Sequence, residues 1–166
     1  MPDASKLEPI GDDIFAVYRR QYAYDRGLLN AVVETTEETD LWLKQTIAFD
    51  AAYAGERMLA YLFLPKRGSP PYQTVVFFPA GDAFRLRLSR DMSLANTDFI
   101  IRSGRAFLYP VYKGTYERST QGDMGSNAER DLAIAWSRDL GRAIDYLDTI
   151  GHRSGSPCVL RRERRR

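Results

Sequence analysis

Two short, uninterrupted apolar runs constrain this chain most: Thr74–Phe78 (TVVFF) and Ala106–Val111 (AFLYPV), with a helix-compatible stretch between them. An exposed strand alternates apolar and polar residues. A continuous run of this length is expected of a strand buried on both faces. Two such runs joined by a helix predict parallel strands with a crossover connection. The helix is expected over Met92–Ser103, with Gly104 as its left-handed cap. A second helix is expected over Glu129–Thr149, where Leu132, Trp136, Leu140, Ile144 and Leu147 fall on one stripe.

Upstream, the pattern is different. Residues 1–12 read as a linker, with Pro2, Pro9 and Gly11 among acidic residues. From Ile14 the chain reads as β-like. Leu28–Thr35, Leu41–Phe49 and Met58–Leu64 are rich in Val, Ile, Tyr and Trp, with turn-like separators at 37–40 and 53–56. Short spacers predict an antiparallel meander, which PKRGSPP at 65–71 then ends. The predicted fold class is therefore α/β: an antiparallel β lead-in, then parallel strands with crossover helices, over residues 13–150. No internal repeat is visible.

Composition narrows the function classes. Apolar residues make up 44% of the 166 residues, enough for a buried core. One Cys excludes an internal disulfide and a multi-Cys zinc site, and the one His, His152, is the sole histidine available to any mechanism. No metal or nucleotide motif is present, and no cofactor is expected. No apolar run is long enough for a bilayer and MPDASKLEPIGDD is too polar for a signal, so a cytoplasmic protein with no membrane partner is expected. The net charge of +2 conceals a division. Residues 151–166 hold six Arg and one Glu, a +5 tail, which leaves −3 on the preceding 150 residues. Nucleic acid is therefore not expected as a partner of the body.

The strings RMLAYLFLPKRGSPPYQTVVFFPAGDAF, FIIRSGRAFLYPVYKGTYER and WSRDLGRAIDYLDT resemble α/β-hydrolases. The likeness is to the dipeptidyl-peptidase, acylaminoacyl-peptidase and acetyl-esterase-like branch. It is nearest to the hydrolase domain fused behind some bacterial serine/threonine protein kinases. It runs from about Ile14 to Thr149.

That resemblance implies acyl transfer on ester or peptide-like substrates by a serine on a strand-to-helix turn, assisted by an acid and a histidine. It makes the Pro79-Ala80-Gly81-Asp82 loop the source of one oxyanion donor, with Gly81 and Asp82 as candidates. The plainer alternative is a strand-to-helix turn. Tyr112, Lys113 and Tyr116, with Glu117 and Arg118, follow the second buried strand. They are candidates for a substrate cleft, the alternative being a solvated polar loop. Asp139 and Arg142 read as surface or interdomain charges.

The serine turn should come one strand after the long helix, but no G-x-S-x-G occurs in the chain. Ser103 and Ser137 fall in expected helices, Ser126 falls in a polar loop, and His152 precedes where the serine should be. No strand is expected in residues 151–166, so the stripe on the long helix should be left partly bare, favouring aggregation or loose packing. The tail GHRSGSPCVLRRERRR has a reading in the frame advanced by one base. Arg codons of the CGN type become GNC triplets, and one choice of synonymous codons yields SATDREALAYYGVSAGA, with GVSAG as a serine turn. The expectation is an inactive fragment of a serine hydrolase whose 151–166 tail is out of frame. Its partner would be a small ester or peptide substrate once a fused or separate C-terminal half completes it. The competing expectation is a non-catalytic module whose basic tail binds an anionic partner.

Overall fold

In the computed structural model, residues 3–53, 55–79, 81–93, 95, 98–119, 127–151 and 158–161 are described. Among them the two apolar runs form β4 (Thr74–Phe78) and β5 (Ala106–Pro110), paired in parallel with Val75 opposite Phe107 and Val76 opposite Leu108. Three antiparallel strands precede them: β1 (Val32–Glu38), β2 (Trp42–Asp50) and β3 (Arg57–Pro65). β3 pairs antiparallel with β5, setting Leu62 against Leu108. With β6 (Cys158–Arg161) the sheet runs β1-β2-β3-β5-β4-β6.

The side-chain period of two divides the core between the sheet's faces. Met58, Ala60 and Leu62 of β3 join Ile47, Phe49, Val76 and Leu108 on one face, covered by Ala143, Tyr146 and Leu147. Those three lie on helix α3 (Ala128–Thr149). Tyr61 and Phe63 join Val75, Phe107 and Tyr109 on the other face, under Ala83, Ile100 and Ile101. Burying each large apolar side chain contributes about 1.5–3 kcal/mol, so both faces are well supplied.

Several expectations need correction. The segment around Ile14 is not β-like: Asp12–Gln21 is helix α1, with Asp12 and Asp13 in its first turn and Arg19 and Arg20 in its last. Charge of that sign at each end suits the helix dipole. Of the helix expected over Met92–Ser103, the described residues show α2 (Asp98–Arg102), and a 3-10 turn at Ser89–Asp91 lies upstream of it. Gly104 does take the left-handed conformation, φ +82°.

The tail contains a strand where none was expected. β6 lies parallel to β4 on the side away from β5, with Val76 opposite Val159. The stripe on α3 is half-buried rather than bare. The Trp136 ring meets Phe78 and Phe84 at centroid distances of 5.5 and 5.9 Å, and its Nε1 donates to the Lys113 carbonyl at 2.8 Å. The face of α3 turned fully inward carries Ala135, Asp139, Arg142, Ala143, Tyr146 and Leu147. Among the described residues, no helix is long and apolar enough to cross a membrane.

Candidate active site

At its carboxyl end β4 runs into Pro79 and then a 3-10 turn, Gly81–Phe84. The Asp82 carbonyl accepts from the amides of Arg85 and Leu86, each at 3.0 Å. The first amides of a helical turn have no acceptor within it, so the backbone N–H groups of Gly81 and Asp82 are the donors this turn leaves over. β5 ends beside it and continues through Val111 into a second loop, which holds the 3-10 turn Tyr116–Arg118. Between the two loops lies a cleft of about 280 Å³ at the carboxyl ends of the parallel strands. Ligands of open α/β sheets bind at this end.

Phe77, Pro79, Leu86 and Met92 give the cleft apolar wall. Asp82, Asp91 and Arg85 give it charge, and Tyr109 and Tyr116 complete its lining. The Tyr109 ring stacks on Phe77 at 4.9 Å, and its hydroxyl lies 2.6 Å from that of Tyr116. Either hydroxyl can donate to the other. One proton makes that bond, which leaves one hydroxyl of the pair with a proton still to donate. Burial pushes both phenols up from their ordinary value, against the pull of the Tyr109 hydrogen bond on Tyr116. Both are therefore neutral donors at neutral pH. Tyr116 has φ +48°, a left-handed conformation costly for a bulky residue. Backbone bonds on both sides hold it there: Ser119 N–H to the Tyr116 carbonyl at 3.0 Å and Arg118 N–H to the Thr115 carbonyl at 2.9 Å.

The cleft's walls are tied together by one carboxylate. Glu117 accepts from the Ser89 Oγ at 2.6 Å and from the Ser89 amide at 2.9 Å. The same Oγ lies 2.7 Å from the Tyr61 hydroxyl. Ser89 is fully buried and spends its hydroxyl on this anchor, so it positions the loop and is not presented as a nucleophile. Nothing in RLRLSRDM marks it beforehand; its role depends on a residue 28 positions away.

Of the sequence-derived candidates, Asp82 and Tyr116 share the cleft, with Gly81 next to Asp82 in the turn. Tyr112 and Lys113 are not among the residues lining it. Tyr112 is buried against Phe78, with its hydroxyl donating to the Phe77 carbonyl at 3.3 Å. Lys113 pairs with Glu56 and lies over the Tyr53 ring at 4.5 Å. Ser126 and His152 lie outside the described residues. No group of His, Cys, Asp or Glu among the described residues could hold a metal ion.

Asp139 and Arg142, expected as surface or interdomain charges, are buried within this chain instead. Asp139 is 0% exposed and Arg142 2%. Asp139 accepts from the Tyr53 hydroxyl at 2.6 Å, from Arg118 Nη1 at 2.7 Å and from the Lys113 amide at 2.8 Å. Burial works against the Arg118 charge, but the Asp139 carboxylate and the Tyr53 hydroxyl together outweigh it, and the guanidinium is raised from its ordinary value. Arg118 also donates to the Val111 carbonyl at 2.7 Å. This cluster fixes the start of the loop that carries Tyr116. Arg142 donates to three carbonyls, Gly27 and Leu28 at 2.8 Å and Asp50 at 3.0 Å, and so ties α3 to the β lead-in. A charge is buried at tolerable cost only when its partners are supplied in this way.

The sequence matches no family model and no curated protein sequence. The fold has matches among solved structures. A Bacteroides fragilis protein assigned as an acetyl xylan esterase superposes with a TM-score of 0.59 at 11% identity, covering 84% of this chain and 43% of that one. The glucuronoyl esterase of Solibacter usitatus gives 0.53 at 14% identity, over 78% of this chain and 44% of the enzyme. A cold-adapted esterase from an Arctic intertidal metagenomic library gives 0.53 at 11% identity, over 76% and 52%. The chain thus spans about half the length of these structures, or less. At such identities the likeness is one of fold: this chain shares its α/β architecture with part of each of these three structures.

Proposed function

We propose that this chain carries the carbonyl-binding half of a serine-type ester hydrolase and does not itself hold the catalytic serine. The observation that carries the reading is the cleft at the carboxyl ends of β4 and β5, lined by Asp82 and by the hydrogen-bonded pair Tyr109 and Tyr116. An ester carbonyl placed there would receive one donor from the Gly81–Asp82 turn and a second from the Tyr109–Tyr116 pair. Donors fixed before the reaction stabilise developing negative charge on oxygen.

β6 supports the same reading. It lies parallel beside β4, one strand after the long helix, where an enzyme of this kind turns on its serine. Here the sequence after Arg161 runs Arg162-Glu163-Arg164, with no serine. The out-of-frame origin of the tail belongs to the proposal, because the shifted reading sets GVSAG just after an apolar segment at this place. The finer assignment to the dipeptidyl-peptidase, acylaminoacyl-peptidase and acetyl-esterase-like branch, in the kinase-fused form, rests on the sequence likeness. Loss of a triad costs on the order of 10⁴-fold or more in turnover, so the chain as encoded should be inactive.

The test compares two proteins for p-nitrophenyl acetate hydrolysis and for labelling by a fluorophosphonate. One is the chain as it stands. The other continues in the advanced frame from codon 150 to its own stop. The first should match buffer, and the second should be labelled on the serine of its G-x-S-x-G. Turnover by the first, or an advanced frame that closes without a serine, overturns the proposal.

A further inference from the structure

The segment between α1 and β1 is fastened to α3 mostly by polar contacts. Residues 22–29 form no helix or strand, and only Tyr24 and Leu29 among them are even half-buried. Leu29 is the one that packs against the core. The fastenings fall on one stripe of α3: Arg138, Gly141, Arg142 and Asp145. Arg138 Nη2 donates to the Gln21 carbonyl at 2.9 Å. The Tyr24 ring fills the space beside Gly141, and its hydroxyl donates to Asp145 at 3.0 Å. Arg26 Nε lies 3.6 Å from the same carboxylate. Arg142 donates to the Gly27 and Leu28 carbonyls, each at 2.8 Å. An open cleft of about 410 Å³ lies between Asp25, Gly27 and Leu28 and the turn at 51–56.

Closure of such a segment is weakly driven. Little apolar surface leaves water, and each hydrogen bond replaces one to water, so its net contribution is small. Lifting the segment also strands no charge. Arg142 loses two of its three carbonyl acceptors, and Asp145 loses Tyr24 and Arg26. The two stand three residues apart on α3, with Arg142 Nη1 already 3.7 Å from Asp145 Oδ2. Freed together, they pair with each other, and Arg142 keeps the Asp50 carbonyl at 3.0 Å. The backbone marks a pivot. Asn30 takes the left-handed conformation, φ +45°, just before the β1–β2 ladder begins at Val32. Its amide donates to Asp50 at 2.6 Å and its carbonyl accepts from Arg57 at 3.0 Å, so the pivot stays with the sheet.

We propose that residues 22–29 are a strap that lifts from α3 as one unit while the sheet stays folded, turning at Asn30 and carrying α1 with it. The strap has two arrangements. Seated, it gives its carbonyls to Arg142 and its Tyr24 and Arg26 side chains to Asp145. Lifted, it leaves Arg142 and Asp145 to each other. The lifted strap uncovers the stripe on α3 and opens the cleft beside Asp50 and Glu56 on that side.

The reporter is the Asp50 amide, which donates to the Leu29 carbonyl at 2.8 Å while the strap is seated. The test follows amide exchange of the full chain by NMR, across urea concentrations below the unfolding transition. The Asp50 amide should be at least about tenfold less protected than the central amides of β3 and β5. Its urea dependence should be shallow and theirs steep, because lifting the strap exposes little surface. Tyr24→Phe and Gly141→Ala both loosen the seated arrangement, so each should speed exchange at Asp50 by at least about threefold. Fraying of the strand end with the strap still seated would also give a shallow dependence, but these variants would then leave the rate alone. An unchanged rate in either variant therefore overturns the proposal. An Asp50 amide that exchanges with the protection and urea dependence of β3 and β5 overturns it equally, since the strap would then belong to the global unit.

Discussion

Arg118 Nη1 lies 2.7 Å from Asp139 Oδ2, with the guanidinium side chain 9% exposed and the carboxylate 0%. The pair joins the loop after β5 to the inner face of α3 and holds the cleft's second wall in place. Removing one member leaves the other charged and buried, which costs about 3–5 kcal/mol. Asp139→Ala should lower unfolding stability by that order. Asp139→Asn should cost nearly as much, because it keeps the shape but sets a neutral amide against Arg118. The double variant Asp139→Leu with Arg118→Met should cost less than the sum of its parts. Urea titrations of Asp139→Leu, Arg118→Met and their double would decide, and a fully additive cycle would contradict a coupled pair.

The Glu117–Ser89 contact ties the two cleft walls, so it should control the opening of the 81–93 segment without controlling the whole fold. Hydrogen bonds to a charged acceptor contribute about 1.5–3 kcal/mol. Glu117→Gln keeps one acceptor but turns a donor toward Ser89. Amide exchange at Ser89 should speed up by about tenfold or more, while the β4 and β5 amides stay protected. Unchanged exchange at Ser89 would mean that the loop is held by its apolar contacts with Tyr109 and Phe77 instead.

Burial, the largest cause, raises the phenols of Tyr53, Tyr109 and Tyr112 in the native state. Tyr24 is pushed up from 10.0 to about 12, by burial first and by its hydrogen bond to Asp145 next. A raised phenol favours the protonated native state. Its stabilisation is therefore complete below pH 10.0 and is lost as pH rises toward the native value. An alkaline titration followed by tyrosinate absorbance should show the exposed tyrosines ionising first. The buried ones should then ionise together with loss of secondary structure. Smooth, independent titration of all 10 tyrosines with the fold intact would contradict this burial.

These features were not equally legible in the sequence. TVVFF and AFLYPV show themselves as strands because burial on both faces leaves no polar alternation to misread. α3 shows itself by period. The inward turn of Asp139 and Arg142 could not be read locally, since charge on a helix implies solvent unless partners exist. Those partners lie 21 to 115 residues away: Arg118, the Lys113 amide and Tyr53 for Asp139, and the carbonyls of Gly27, Leu28 and Asp50 for Arg142. Ile14–Tyr18 is too short an apolar run to separate helix from strand by pattern. Its end signals, paired Asp before and paired Arg after, were the evidence for α1. In the site, Gly81, Asp82 and Tyr116 follow from lying just after parallel strands. Ser89 has no signature, because its role exists only once Glu117 has been brought to it.

Gly141 offers the sharpest test of how the lead-in packs on α3. Glycine inside a helix ordinarily costs about 1 kcal/mol relative to alanine, so Gly141→Ala alone should stabilise the helix. Here the space for a Cβ is taken by the ring and hydroxyl of Tyr24. That ring is anchored by a 3.0 Å hydrogen bond from its hydroxyl to Asp145. A Cβ at 141 would displace the ring and break the anchor, so Gly141→Ala should destabilise the protein by about 1 kcal/mol despite its helix propensity. Tyr24→Ala empties the same space, and in that background Gly141→Ala should become stabilising. Melting temperatures of the four members of this cycle check the reversal of sign. A stabilising Gly141→Ala in the presence of Tyr24 would mean that the ring does not pack against α3 as the structure has it.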